Sequence, residues 1–230
     1  MVELDRRSAF TRAQQDYLKT LYLLHGDQRP VPTRQLAQRL GISSPSVSEM
    51  VARLTAQGLV EHDRYRGQQL TRDGRKVALE LVRHHRLLEM FLVQVLGYSW
   101  DEVHDEAERL EHVMSERMEQ RIFELLGRPE LDPHGHAIPS VSGKVRSLSE
   151  RPLSECKAGE RVVVQGVSDE DAGRLRELER RGLLPGTKIE VTGLSEYEGP
   201  IEVRIKGKRV SVPLGLARGM FVEAEHQRAR

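Results

Sequence analysis

A run of histidines and carboxylates between Arg83 and Arg121 limits what this chain can fold into. His85 and Glu89 are four residues apart, a spacing that places both on one face of a helix. His104, Glu108, Glu111 and His112 follow at i, i+4, i+7 and i+8, which on a straight helix confines them to an arc of roughly 100°. The apolar residues of that segment, Val103, Ala107, Leu110, Met114 and Met118, form a separate adjacent stripe. Such a helix buries one face and offers imidazole nitrogens and carboxylate oxygens together on another, a plausible metal surface. The plain alternative is a solvated charged face. For His85–Glu89 alone that alternative is the better one, because i,i+4 pairs are ordinary. For the whole constellation a metal site is the expectation.

The chain has 230 residues, room for one large or two to three small domains. Aromatic residues make up 4%, so aliphatic side chains must fill the core. No apolar run approaches the roughly 20 residues that span a bilayer. The N-terminal residues are polar and charged, without a signal-peptide pattern, and no membrane partner is expected. Cys156 is the only cysteine, so no intrachain disulfide can form, and a reducing, cytoplasmic location fits. The overall charge of +1 is uninformative, but its distribution is not. Residues 1–75 carry 12 Lys/Arg against 8 Asp/Glu, whereas residues 99–126 carry 3 against 9. A basic first domain beside an acidic segment suggests an anionic partner for one and a cation for the other.

Taken in order, Thr11 is expected to cap a helix running to about His25, with Asp16 near its start. Thr33 is expected to cap a short helix ending at Gly41, and Ser43 or Ser44 the next, with Pro45 in its first turn. Two helices joined by a short glycine-containing turn make a helix-turn-helix. The start of its second helix carries Ser43, Ser44, Pro45, Ser46, Ser48 and Glu49, small or polar groups suited to a DNA groove. Leu59–His62 and Gln68–Thr71 read as a hairpin whose tip holds Arg64, Tyr65 and Arg66. A basic hairpin directly after the second helix makes a winged helix, with Arg64 and Arg66 placed for phosphates.

Asp73 opens a long helix to about Leu96, and an acidic helical region with a possible break runs from Asp101 to Leu126. Its apolar stripe exceeds what one small domain needs, so a homodimer is expected. Gly127–Ser149 is rich in Gly, Pro, Ser and His and reads as a linker, in which His134 and His136 are weaker metal candidates. From Leu153 short strands separated by Gly and Pro turns fit a small SH3-like barrel. The expected fold is mostly α with small β. A winged helix-turn-helix occupies residues 1–75, and a helical metal-binding and dimerisation domain 76–140. A linker at 141–152 leads to an SH3-like domain at 153–230.

Together these features resemble the diphtheria-toxin-repressor family of metal-dependent transcriptional regulators. The string His-Asp-Glu-Ala-Glu-Arg-Leu-Glu-His at 104–112 is similar to the family's metal motif, and His85–Glu89 to its upstream ligand segment. His136-Ala-Ile-Pro139 resembles its linker, and the C-terminal region the ferrous-transport-A-type domain of its longer members. The resemblance implies a primary site at Asp16, Glu108, Glu111 and His112 and an ancillary site at His85, Glu89 and His104. It also points to ligands near Glu170 and Asp171, with Arg174 standing where a neutral ligand is expected. Iron-type members carry Met and Cys where this chain has Asp16 and Glu108, whereas manganese-type members carry carboxylates. Lys19 stands where short manganese-type members have a further carboxylate.

The resemblance therefore implies a Mn2+-dependent homodimer that binds a double-stranded DNA operator and represses metal-uptake genes. A ferrous-iron regulator (Fe2+) is the first alternative. A metal-dependent hydrolase is another, but no His-Glu-x-x-His, Gly-x-Ser-x-Gly or phosphate-binding glycine loop is present, and no small organic substrate is expected. A metal-independent winged-helix protein is the third.

Overall fold

The computed structural model describes residues 9–168, 171–194 and 199–225. The described residues divide into two compact units, one within 9–85, 108–124 and 139–144, the other within 86–107, 125–138 and 145–225. No helix among the described residues is long and apolar enough to cross a membrane.

In the first unit α1 spans Arg12–Leu23. Thr11 and Gln14 close a capping box: the Thr11 hydroxyl accepts from the Gln14 N–H at 3.3 Å and the Gln14 amide oxygen accepts from the Thr11 N–H at 3.0 Å. Helix α2 spans Thr33–Leu40 and α3 Ser44–Ala56. Thr33 is not the cap of α2. The extended Pro32 takes that position, and the Thr33 hydroxyl donates instead to Gln68 at 3.3 Å. Ser43 caps α3, accepting from the Ser46 N–H at 3.3 Å, with Pro45 in the first turn. Leu18, Leu21, Leu36, Val47, Val51 and Leu54 join these helices in one core. Each fully buried Leu contributes about 1.5–3 kcal/mol relative to exposure.

The wing follows as β1 (Val60–Asp63) and β2 (Gly67–Leu70), antiparallel from Val60↔Leu70 to Asp63↔Gly67. Gly67 has φ 112°, and a Cβ there would lie 2.1 Å from the Val31 carbonyl oxygen. That close approach lets Val31 bridge to Gln68. At the tip the Asp63 carboxylate accepts the N–H groups of Tyr65 and Arg66 at 2.8 and 3.0 Å, which hold its pKa below the ordinary value. Helix α4 runs Arg72–Gln94, α5 Val103–Leu110 and α6 Glu116–Leu125. The acidic region is therefore two helices, with a turn at 111–113 between them.

In the second unit β3 (Arg161–Val167), β4 (Lys188–Leu194), β5 (Ile201–Ile205), β6 (Lys208–Val212) and β7 (Met220–Ala224) form an antiparallel sheet in the order β6-β5-β4-β3-β7. Helices α7 (Ala172–Arg180) and α8 (Leu214–Ala217) complete it. Its core is aliphatic, with Val162, Val164, Leu175, Leu178, Ile189, Val191, Val203 and Val222 buried beside Cys156. Much of residues 127–149 is not the flexible linker its composition suggests. Asp132 and His134 are buried, and Val167 of β3 donates its N–H to the His134 carbonyl at 2.9 Å. Gly135, at φ 90°, sits so close to β3 that a Cβ would lie 2.0 Å from the Gln165 carbonyl oxygen.

Candidate metal centre

Helix α1 presents Gln15, Asp16 and Lys19, α4 presents His85, and α5 presents Glu108. Glu111 and His112 come from the turn beyond α5, not from its continuation. The structure brings Asp16, Glu111 and His112 together, with one donor atom of each within 4.8 Å of the others. His112 Nε2 lies 2.9 Å from Asp16 Oδ1 and 3.6 Å from Glu111 Oε1.

The protonation of His112 follows from its neighbours. The Gln15 amide nitrogen donates to the Phe10 carbonyl at 3.1 Å, so its amide oxygen faces the other way. That oxygen lies 2.8 Å from His112 Nδ1 and accepts its hydrogen. In the neutral ring the lone pair is then on Nε2, directed at two carboxylates. Asp16 Oδ1 and His112 Nε2 are both buried, and neither makes a hydrogen bond with the described residues. Donor atoms of two carboxylates and an imidazole converging within 4.8 Å of one another are what a cation site requires. The donor set fits a divalent ion: two carboxylates and one imidazole, with no sulfur. Arg12 approaches Asp16 only to 4.0 Å and is more than half exposed.

Beside this trio Lys19 is buried among other candidates. Its Nζ is 2.7 Å from Glu108 Oε2, 2.8 Å from both oxygens of Glu111 and 3.1 Å from His85 Nδ1. Burial pulls its pKa down, but Glu111 and Glu108 more than offset that and raise it, so it is an ammonium. His85 Nδ1 also lies 2.5 Å from Glu111 Oε2.

In the second unit Glu89 is fully buried, with Oε1 3.4 Å from His104 Nδ1 and Oε2 3.8 Å from His134 Nδ1. His134 Nε2 donates to the Trp100 carbonyl at 2.8 Å, and the two rings stack at 5.5 Å. Glu89, Asp132 and His134 also bring donor atoms within 4.8 Å of one another. Asp132, however, already accepts the N–H groups of His134 and His136 at 2.8 and 2.9 Å, and Arg86 lies 3.5 Å away. His136 adds its Nδ1 to Asp132 at 3.1 Å. Asp171 caps α7, accepting from the Arg174 N–H at 3.1 Å, and Glu170 lies outside the described residues.

The DNA-binding candidates lie on one exposed element each. Ser44, Pro45, Ser46, Ser48 and Glu49 are exposed along the start of α3, with Glu49 paired to Arg53. Arg64 and Arg66 flank Tyr65, itself 92% exposed, at the wing tip. Gln15, in contact with His112 at 2.8 Å, is a candidate positioning residue that sequence reasoning missed. Its only signal was a polar side chain next to Asp16 on the buried side of α1.

Three family models match the chain. Residues 9–68 match the iron-dependent repressor N-terminal DNA-binding domain, 71–140 the iron-dependent repressor metal-binding and dimerisation domain, and 151–224 the FeoA domain. The iron-dependent repressor IdeR of Mycobacterium leprae is 34% identical over 224 residues, covering 90% of this chain and 95% of the relative. The diphtheria toxin repressor of Corynebacterium glutamicum is 32% identical, covering 90% and 94%. Among solved structures, a manganese-dependent transcriptional repressor in complex with manganese superposes with a TM-score of 0.85 at 41% identity, covering 92% of this chain and 99% of that one. The manganese regulator SloR superposes at 0.75 with 30% identity, covering 92% and 98%. The chain belongs to the iron-dependent-repressor family, the diphtheria-toxin-repressor family of metal-dependent transcriptional repressors.

Proposed function

We propose that this protein is a manganese-responsive repressor of metal-uptake genes, acting as a homodimer on an operator in the cytoplasm. The ion is held by Asp16, Glu111 and His112, with Glu108 beside them, and His85, Glu89 and His104 form the ancillary set. The observation that carries the reading is the convergence of Asp16, Glu111 and His112, with His112 Nε2 2.9 Å from Asp16 and 3.6 Å from Glu111. When bound, a divalent cation supplies the charge that lets these carboxylates share a buried space. Asp16 rides on α1, whose Tyr17, Leu18 and Leu21 pack in the core with α2 and α3. Holding Asp16 therefore fixes the angle at which α3 is presented, and two such helices in a dimer fit successive major grooves. Val113 and Met118, exposed at 78% and 46%, offer apolar surface for the second copy.

Manganese is favoured by the absence of sulfur among the donors. Several relatives are named for iron, and intrinsic affinity rises from manganese to ferrous iron at any such site, so ferrous iron is the second reading. The test is operator binding by fluorescence anisotropy after verified metal removal, then across manganese, ferrous iron, cobalt and zinc under anaerobic conditions. The expected result is metal-dependent binding that saturates with manganese at its cellular range. Equal binding with and without metal defeats the reading.

A further inference from the structure

We infer that Lys19 is a built-in cation, occupying the Glu108–Glu111–His85 cage where a second divalent ion would otherwise sit. The inference rests on the metal-site reading above and deepens it by assigning Glu108 to the ammonium.

A lysine this buried is costly unless its charge is answered. Here it is answered closely. Two carboxylates lie at 2.7–2.8 Å, and an imidazole nitrogen at 3.1 Å. The Nζ position is thus ringed by oxygen and nitrogen donors, the environment a metal ion also selects. Glu108 Oε2 is turned to Lys19, and the convergent trio beyond it consists of Asp16, Glu111 and His112.

Two consequences follow. The ammonium reserves Glu108 and shares Glu111, so the Asp16–Glu111–His112 end takes one divalent ion rather than a close pair. Lys19 lies on α1, whereas Glu108 and Glu111 lie at and beyond the end of α5, so the ammonium already ties these segments without metal. The metal then completes a partly formed clasp.

The test uses the full-length protein, stripped of metal, with Lys19→Glu and Lys19→Met variants. Bound manganese is counted by equilibrium dialysis with elemental analysis, and electron paramagnetic resonance reports whether two ions are close enough for spin coupling. Lys19→Glu is expected to take one more manganese per chain than wild type, with the broadened signal of a coupled pair. Lys19→Met is expected to bind manganese on the order of tenfold more tightly, since a nearby positive charge is gone. Without metal, Lys19→Met is expected to lose amide-exchange protection in α1 relative to wild type. Circular dichroism checks folding. If Lys19→Glu does not fold, the affinity and exchange of Lys19→Met decide the question. An unchanged ion count in folded Lys19→Glu, or unchanged affinity and exchange in Lys19→Met, overturns the assignment. A wild type that binds no manganese would instead defeat the metal-site reading itself.

Discussion

Two clusters of histidine and carboxylate in this molecule share a composition and differ in what surrounds them. In the first unit Asp16, Glu111 and His112 converge, with His112 Nε2 2.9 Å from a buried Asp16 oxygen. In the second unit Glu89, Asp132 and His134 are just as close and more deeply buried, but Asp132 spends its carboxylate on two backbone N–H groups and a guanidinium. In the first cluster an imidazole nitrogen meets two carboxylates, and in the second the Asp132 carboxylate is answered by the loop it organises. Ligand-type residues within reach of one another do not by themselves make a metal site. The direction of each lone pair and proton decides.

The largest effect should come from the first cluster. Glu111→Ala or His112→Ala is expected to abolish manganese-dependent operator binding, a loss of at least about a hundredfold by the usual cost of removing a ligand or its support. The matching substitution in the second cluster, Asp132→Ala, should act on stability instead. It strands two backbone donors and the Arg86 charge, a loss of about 3 kcal/mol by analogy with broken buried pairs. Denaturant unfolding and a manganese titration on the same two proteins separate the outcomes. An Asp132→Ala protein that folds normally but no longer responds to manganese would break the comparison.

Gln15 offers a finer test, because it touches the first cluster without supplying a ligand. Gln15→Leu removes the acceptor that keeps the His112 hydrogen on Nδ1. Manganese affinity is expected to fall about 10–100-fold, as for other outer partners of ligating histidines. Isothermal titration of the variant, with His112 tautomer followed by 15N NMR, would detect it. An unaltered tautomer would mean that Gln15 does not set the ring's protonation.

The elements were far more legible in the sequence than these distinctions. Helical periodicity and cap residues announced α1, α3 and α4 and the wing, because those signals are local. The end of α5 at Leu110 was not legible. The i+7 and i+8 spacing of Glu111 and His112 suits a continuous helix, yet both sit in a turn and meet Asp16 from there. Residues 127–149 misled for a related reason. Their Gly and Pro content describes backbone conformation, whereas their order comes from Asp132, His134 and β3, partners distant in sequence. Lys19 was visible as an unexpected residue, but its cage is built from residues 66 to 92 positions away. Gln15 needed both Phe10 and His112 in place before its role could be read.

The smallest expected effect concerns a third cluster, Glu80, His84 and Glu116, whose donor atoms also lie within 4.8 Å of one another. By the criterion above it belongs with the structural group. His84 Nε2 is 2.8 Å from Glu119, 1.0 Å nearer than the 3.8 Å to Glu116, and Arg83 holds the other Glu119 oxygen at 2.6 Å while donating to the Pro139 carbonyl. Burial pushes the Glu119 carboxyl up, but hydrogen bonds from His84 and Arg83 and the guanidinium charge outweigh it, so its pKa lies below the ordinary 4.5. A carboxyl with a lowered folded value binds a proton more readily when unfolded. Its stabilising contribution is therefore complete above pH 4.5 and lost as pH falls from there through the lowered folded value. Glu119→Gln should flatten that acid limb in a series of urea unfolding curves, while Glu116→Ala should leave both the limb and the manganese count nearly unchanged. A reduced manganese count in Glu116→Ala would place this cluster with Asp16, Glu111 and His112 instead, and the satisfied-donor criterion would fail at the point where it is most easily tested.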